Sequence, residues 1–197
     1  MIRIGITGGI GMGKSASQEI LQDQGASILD TDQLARDLVA PGSAALSEIE
    51  STFGNEIIQS DGSLDRAKLA DIVFKTPESR KQLEQILHPK IREQWSQQLE
   101  DWESEGKVVG YVVIPLLYET KAEEAFDEVL CIASPDHLQM ERLQARGWSD
   151  NQITQRLGAQ MDIREKMDRS NAVVWNSGSL NLLEHQLERH SARWASI

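Results

Sequence analysis

"GITGGIGMGKSASQ", residues Gly5–Gln18, follows the apolar start Ile2–Ile4 and runs into a helical pattern that begins near Lys14. Two kinds of glycine loop compete for such a stretch. A dinucleotide fingerprint needs G-x-G-x-x-G, and counted from Gly9 its third glycine falls on Lys14, so that reading fails. The phosphate-loop pattern G-x-x-x-x-G-K-[ST] is met in full by Gly8, Gly13, Lys14 and Ser15. Glycines let successive backbone N–H groups turn inward on phosphate oxygens, and the helix that follows adds the positive end of its dipole. Lys14 is then placed to neutralise β- and γ-phosphates, and the Ser15 hydroxyl to ligate Mg²⁺. The bland alternative, a glycine turn entering a helix, does not account for the lysine and the hydroxyl at these positions. The pattern indicates nucleotide triphosphate binding and says nothing about the acceptor.

Five short segments rich in Val and Ile read as strands: Ile2–Thr7, Ala26–Asp30, Lys107–Ile114, Glu128–Ala133 and Ala172–Trp175. Their apolar runs lack strict alternation, which suits strands covered on both faces, as in a parallel sheet. Helical patterns lie between them. Ile91, Trp95, Leu99 and Trp102 form one apolar stripe, and Leu180, Leu183 and Leu187 another, so the tryptophans are expected in packing roles. Strands alternating with helices predict an α/β, doubly wound fold that binds ligands beyond the carboxyl ends of its strands. Residues 35–105 contain no convincing strand and read as a helical insertion, with turns at "APGS", "FGN", "SDGS" and "HPK". His88, before a proline, is expected at a helix boundary.

Composition narrows the partners. A chain of 197 residues can bury a core as one domain with an elaborated insertion. Its formal charge of −11 repels polyanions, which argues against nucleic acid. The longest apolar run, Val108–Tyr118, contains a proline and falls short of the roughly 20 residues of a membrane helix. Cys131, the one cysteine, sits in "VLCIA" and is expected to be an ordinary buried thiol. A cytoplasmic protein with no membrane association, and no protein partner evident, is expected.

Two further groups carry candidate chemistry. In "LDTDQLAR", Asp30 and Asp32 stand two apart at the end of the second strand; on extended backbone their carboxylates would point to one side, near the glycine loop. One could orient an attacking hydroxyl and take its proton while the other holds a metal's water shell. The competing use is capping of the next helix by Thr31 or Asp32. Later, Arg142 and Arg146 lie four apart on one helix face, followed by Arg156, Arg164, Lys166 and Arg169. Guanidinium forks of this kind can clamp a moving phosphoryl group. The alternative is a solvated face paired with Glu141, Asp162 and Glu165.

Taken together, these segments resemble the dephospho-coenzyme A kinase family, from Ile4 to about Gly178. The likeness rests on "TGGIGMGKS", "LDTDQLAR", "PGSAAL", "FG", "DGSLDRAKL", "VF", "LHPKI", "VIPLLYE" and "NSG" in this order. The phosphate loop is shared by many families; DxD-x-x-AR, LHPxI and PLLxE are more specific. The resemblance implies a P-loop kinase core of five parallel strands within one 1–197 domain, a helical substrate-binding insertion over 35–105 and a lid over about 140–170. It also implies ATP as donor, the ribose 3′-hydroxyl of dephospho-coenzyme A as acceptor, Asp32 as the catalytic aspartate, and Gly11, Met12, Gly13, Lys14, Ser15 and Ala16 as the ATP loop. The chain departs from the family at Ala16, where a Thr is common, and at Asn171 and Trp175, where aspartates are usual. Another nucleoside monophosphate or small-molecule kinase is the nearest rival. A nucleotide-hydrolysing switch is a more distant one, since no guanine-specifying N-K-x-D is present.

Overall fold

The computed structural model describes residues 1–73 and 75–193. Its sheet contains β1 (Ile2–Gly8), β2 (Ser27–Asp30), β3 (Val109–Val113), β4 (Glu128–Ala133) and β5 (Ala172–Trp175), all parallel in the order β2-β3-β1-β4-β5. β1 is central: Ile6 lies opposite Val113 of β3 and Leu130 of β4. Its carboxyl end, where the glycine loop leaves, is flanked on both sides by strand ends. This is the topological switch point at which open α/β sheets bind ligands.

β4 and β5 have the bounds that the apolar runs predict. β2 begins one residue later than expected, and β3 is shorter at both ends, although Ile2 N–H donates to Val108 O at 2.8 Å and Ile114 N–H to Ile6 O at 2.8 Å. Non-alternating runs arise because both faces are covered. Ile4, Ile6, Tyr111, Leu130, Ile132 and Val174 are buried with Leu21 of α1 (Lys14–Asp23), and with Leu183 and Leu187 further along the chain. On another part of the sheet, Leu99 and Trp102 approach Gly110 of β3.

Two compact units are present: residues 1–30 with 99–197, and Thr31–Gln98. The second is helical: α2 (Thr31–Leu38), α3 (Ala44–Phe53), α4 (Arg66–Val73) and most of α5 (Pro77–Ser104). Its own core joins Val39, Leu46, Ile49, Ile57, Leu64, Leu69, Val73 and Ile86. Ser43 Oγ caps α3 by accepting from Leu46 N–H at 3.1 Å, and the chain leaves that helix at Gly54. Phe74, from the "VF" pair, lies outside the described residues.

α5 corrects the expected turn at "HPK" and the boundary role of His88. The helix runs unbroken through Pro89. Interior proline costs about 3 kcal/mol, and buried Ile86, Trp95 and Leu99, spaced along the same helix, offset it by packing. Burial also holds the His88 imidazole below its ordinary pKa.

The first unit continues with α6 (Asp136–Ala145), α7 (Asp150–Leu157), α8 (Ile163–Arg169) and α9 (Leu180–Ser191). In α9, Leu183 and Leu187 enter the core, but Leu180 is 66 % exposed, contrary to the expected stripe. It is the first helical residue after the Ser179 cap, too early to face the sheet. Trp95 is buried and Trp102 half-buried, whereas Trp175 is 43 % exposed. Among the described residues, no helix is long and apolar enough to cross a membrane.

Candidate active site

The glycine loop joins β1 to α1, and α1 starts at Lys14 as expected. Gly13 occupies the left-handed region (φ 106°), and a Cβ there would collide with Asn176 Nδ2. Asn176, just past β5, is almost wholly buried; its Nδ2 donates to Met12 O at 3.0 Å and its own N–H donates to Ala133 O at 2.7 Å. The loop is therefore clamped from the β4–β5 side. Met12 itself is a fully buried core side chain that contributes backbone to the loop.

The Lys14 ammonium donates to Gly8 O at 2.8 Å and Gly9 O at 3.0 Å, which draws it back along the loop. Ser15 is exposed in the first turn of α1, while Ser17 turns inward and donates to Gly13 O at 3.2 Å. Ala16 is half-buried and packs against the sheet core, so its side chain lacks a hydroxyl and also faces the protein.

The acidic pair needs correcting. Asp30 is the last residue of β2, and α2 begins at the next residue, so Asp32 sits in the first helical turn rather than on extended backbone. A shared direction for the two carboxylates does not follow from a strand period once the chain turns helical. Asp32 is exposed and carries its negative charge at a helix N-terminus, where the dipole favours it.

The basic run divides in an unexpected way. Arg142 on α6 donates from Nη2 to Asn176 O at 2.9 Å, and its buried Nη1 has no hydrogen-bond partner among the described residues. Arg146 follows the last residue of α6 and is exposed. The Arg156 guanidinium stacks 4.3 Å from the Trp148 ring centroid, and Arg169 pairs with Glu123 at 2.6 Å while lying 4.4 Å from the Tyr118 ring centroid. Lys166 is not on a solvated face: it is fully buried, donating to Pro115 O at 2.6 Å and paired with Glu119 Oε1 at 2.8 Å. Asn171 accepts through Oδ1 from Val129 N–H at 2.8 Å, which ties it to the start of β4.

Cys131 is buried in β4 and its thiol is pushed up to about 11, first by burial, with Lys166 and Lys14 pulling weakly the other way. It is an inert core thiol, as expected. Among the described residues, no cluster of His, Cys, Asp and Glu is able to hold a metal by itself.

Two side chains that pattern reading passed over, Gln139 and Gln160, are structurally central alongside Asn176. Gln139 Nε2 donates to Ile10 O at 2.7 Å, and Gln160 Oε1 accepts from Ile10 N–H at 3.1 Å. The "NSG" element pointed to Asn176; nothing in local spacing marks the two glutamines.

A sequence profile described as dephospho-CoA kinase matches residues 2–181. The chain belongs to the dephospho-CoA kinase family. A Bacillus anthracis protein named dephospho-CoA kinase is 38% identical over 195 residues, covering 98% of both chains. The crystal structure of a Thermus thermophilus protein superimposes with TM-score 0.82 at 36% identity, covering 98% of this chain and 97% of that one. A dephospho-CoA kinase from Campylobacter jejuni follows at TM-score 0.72 and 28% identity, over 97% of this chain and 96% of its own. The five-stranded parallel sheet agrees with the α/β fold read from the strand pattern, and membership in this kinase family agrees with the P-loop kinase fold that the resemblance implies.

Proposed function

We propose that the protein transfers the γ-phosphoryl group of ATP to the ribose 3′-hydroxyl of dephospho-coenzyme A, giving ADP and coenzyme A, the last step of coenzyme A synthesis. The observation that carries this reading is a complete phosphate loop, Gly8–Ser15, seated at the carboxyl end of the central strand in a member of the dephospho-CoA kinase family. The adjoining Arg142 supports a polyanion at this loop: its buried Nη1 has no hydrogen-bond partner among the described residues.

In this mechanism the loop amides of Gly11, Met12, Gly13, Lys14, Ser15 and Ala16 face the phosphates. Lys14 keeps its two bonds to the loop carbonyls and offers its third ammonium N–H to the β- and γ-oxygens. Arg142 offers Nη1 to the phosphoryl oxygens, and Arg146 joins it from the end of α6 to complete the clamp. Ser15 Oγ would hold Mg²⁺, which would supply charge neutralisation to the polyphosphate. Asp32 orients the 3′-hydroxyl and takes its proton late, because phosphoryl transfer is loose and depends on positioning more than on base strength.

Residues 35–105 serve as the acceptor-binding insertion and about 140–170 as the lid of one 1–197 kinase domain. Support for the insertion's role is a cleft of about 540 Å³ within the helical unit, lined by Arg36, Pro41, Gln59, Ser63 and Arg66 among others. Its two guanidinium groups suit a diphosphate-bearing acceptor. The partners are small molecules, and the buried single thiol suits the cytoplasm. Measuring ADP release with and without dephospho-coenzyme A tests this reading: strong acceptor dependence supports it, and equal rates would replace it with a hydrolytic switch.

A further inference from the structure

In the glycine loop, the backbone N–H and C=O of Ile10 are both taken up by side chains from the 136–162 segment. Gln139, near the start of α6 and almost wholly buried, donates to Ile10 O. Gln160, just after α7, accepts from Ile10 N–H. The loop also fits tightly against α6. A Cβ built at Gly9 would lie 3.1 Å from Gln139 Nε2, and one at Gly11 would lie 2.9 Å from Leu143 Cγ.

A trans peptide points its C=O and N–H in opposite directions, so a bond at one end aims the other. Gln160 holds the N–H end of the Gly9–Ile10 peptide. The carbonyl at its far end, Gly9 O, is one of the two that receive the Lys14 ammonium, at 3.0 Å. Gln139 holds the C=O end of the Ile10–Gly11 peptide, so the Gly11 N–H at the other end of that plane points away from Gln139. The two glutamines therefore act on two different parts of the loop.

We propose that Gln139 and Gln160 are positioning residues for the phosphate loop, Gln139 aiming the Gly11 amide and Gln160 setting the peptide on which Lys14 rests. Neither touches the nucleotide; each acts through a peptide plane. This inference rests on the reading of the loop as a triphosphate cradle, and it extends that reading to the residues that keep the cradle in shape. It also gives the 136–162 segment a direct mechanical link to the loop, since its two ends hold adjacent peptides.

The test is calorimetric binding of inorganic tripolyphosphate with magnesium to the full chain, using Gln139→Met and Gln160→Met in the wild-type and Lys14→Met backgrounds. Each glutamine variant should weaken binding by roughly threefold to tenfold, the worth of one hydrogen bond. In the Lys14→Met background the Gln160 effect should disappear, because it acts through Lys14, whereas the Gln139 effect should persist. A merely structural role would make both losses independent of Lys14. That result, or wild-type affinity in both folded glutamine variants, or a wild-type protein that does not bind tripolyphosphate, would overturn the proposal. If Gln139→Met does not fold, the half-exposed Gln160 arm decides by itself. Wild-type protein that binds tripolyphosphate but shows no acceptor-dependent ADP release would defeat the proposed reaction and leave the glutamine result standing.

Discussion

The fully buried Lys166 ammonium lies 2.8 Å from Glu119 Oε1, and the same carboxylate oxygen accepts from Met161 N–H at 2.8 Å. Lys166 also donates to Pro115 O, an oxygen within 3.4 Å of Thr7 Oγ1 at the end of β1. A charge taken out of water in this way is tolerated only with its partners in place. Truncating Lys166 to Met should destabilise the protein by about 3 kcal/mol, because removing one member strands the other. Glu119→Gln should cost a comparable amount: the amide oxygen still accepts from both donors, but the fully buried ammonium loses its counter-charge. Urea denaturation of the two variants checks this; a Lys166→Met loss under about 0.5 kcal/mol, the range of surface changes, would contradict it.

Gly13→Ala meets two obstacles at once, a φ of 106° and the Asn176 amide. Left-handed backbone costs a non-glycine residue roughly 1–2 kcal/mol, and displacing Asn176 would release Met12 O as well. Turnover should fall by at least about 10²-fold, as for loss of a preorganised oxyanion donor. Steady-state kinetics on the folded variant decides the point, and near-normal turnover would show that the loop tolerates a side chain there.

His190 of α9 is buried, with its Nε2 3.4 Å from Glu128 Oε2. Burial holds its pKa below the ordinary 6.5, although Glu128 pulls the other way. His88 is shifted in the same direction, again by burial. The folded protein therefore binds these protons less readily than the unfolded chain. Their stabilising contribution is complete above pH 6.5 and is lost as pH falls below it through the depressed folded values. Tm should drop between about pH 7.5 and about pH 5.5, either side of the ordinary imidazole value, and His190→Gln should flatten part of that drop. An unchanged slope would exclude His190 as a source.

Lys14 and Asp32 are assigned different tasks, and their variants should differ accordingly. Lys14→Ala removes charge aimed at the transferring group, for a kcat loss of at least roughly 10²-fold. Asp32→Asn should lower kcat by roughly 10²–10⁴-fold with less effect on ATP affinity, the range for a positioned proton acceptor. Initial-rate kinetics at saturating acceptor separates kcat from KM. Unchanged turnover in Asp32→Asn would remove Asp32 from the chemistry.

Local sequence was most informative where one physical constraint acts alone. β4 is buried on both faces from Val129 to Ala133, so its unbroken apolar run reads as one strand; β5 lies at the sheet edge, where Val174 is buried and Trp175 is exposed, and its short β-branched run still marks it. The glycine loop is legible because backbone approach to phosphate excludes side chains at set spacings. Pro89 misled because a local breaker was outweighed by packing spread along α5, which no short window contains. Asp30 and Asp32 misled because a strand period was extended past the point where α2 begins. Lys166 misled because a lysine in a charged run reads as solvated, and its partners Glu119 and Pro115 lie about 50 positions earlier in the chain. Gln139 and Gln160 were invisible for a similar reason: their meaning is a pair of bonds to Ile10, 129 and 150 residues away.

The most direct measurement follows the γ-phosphoryl group itself. Incubating the protein with ATP whose non-bridging γ-phosphoryl oxygens are isotopically heavy and with dephospho-coenzyme A, then locating the labelled phosphoryl group by its isotope shift in phosphorus NMR, reports where it goes. The account predicts label on the ribose 3′-oxygen of the acceptor, in step with ADP formed. Label recovered as free inorganic phosphate, or on any other oxygen of the acceptor, would contradict it.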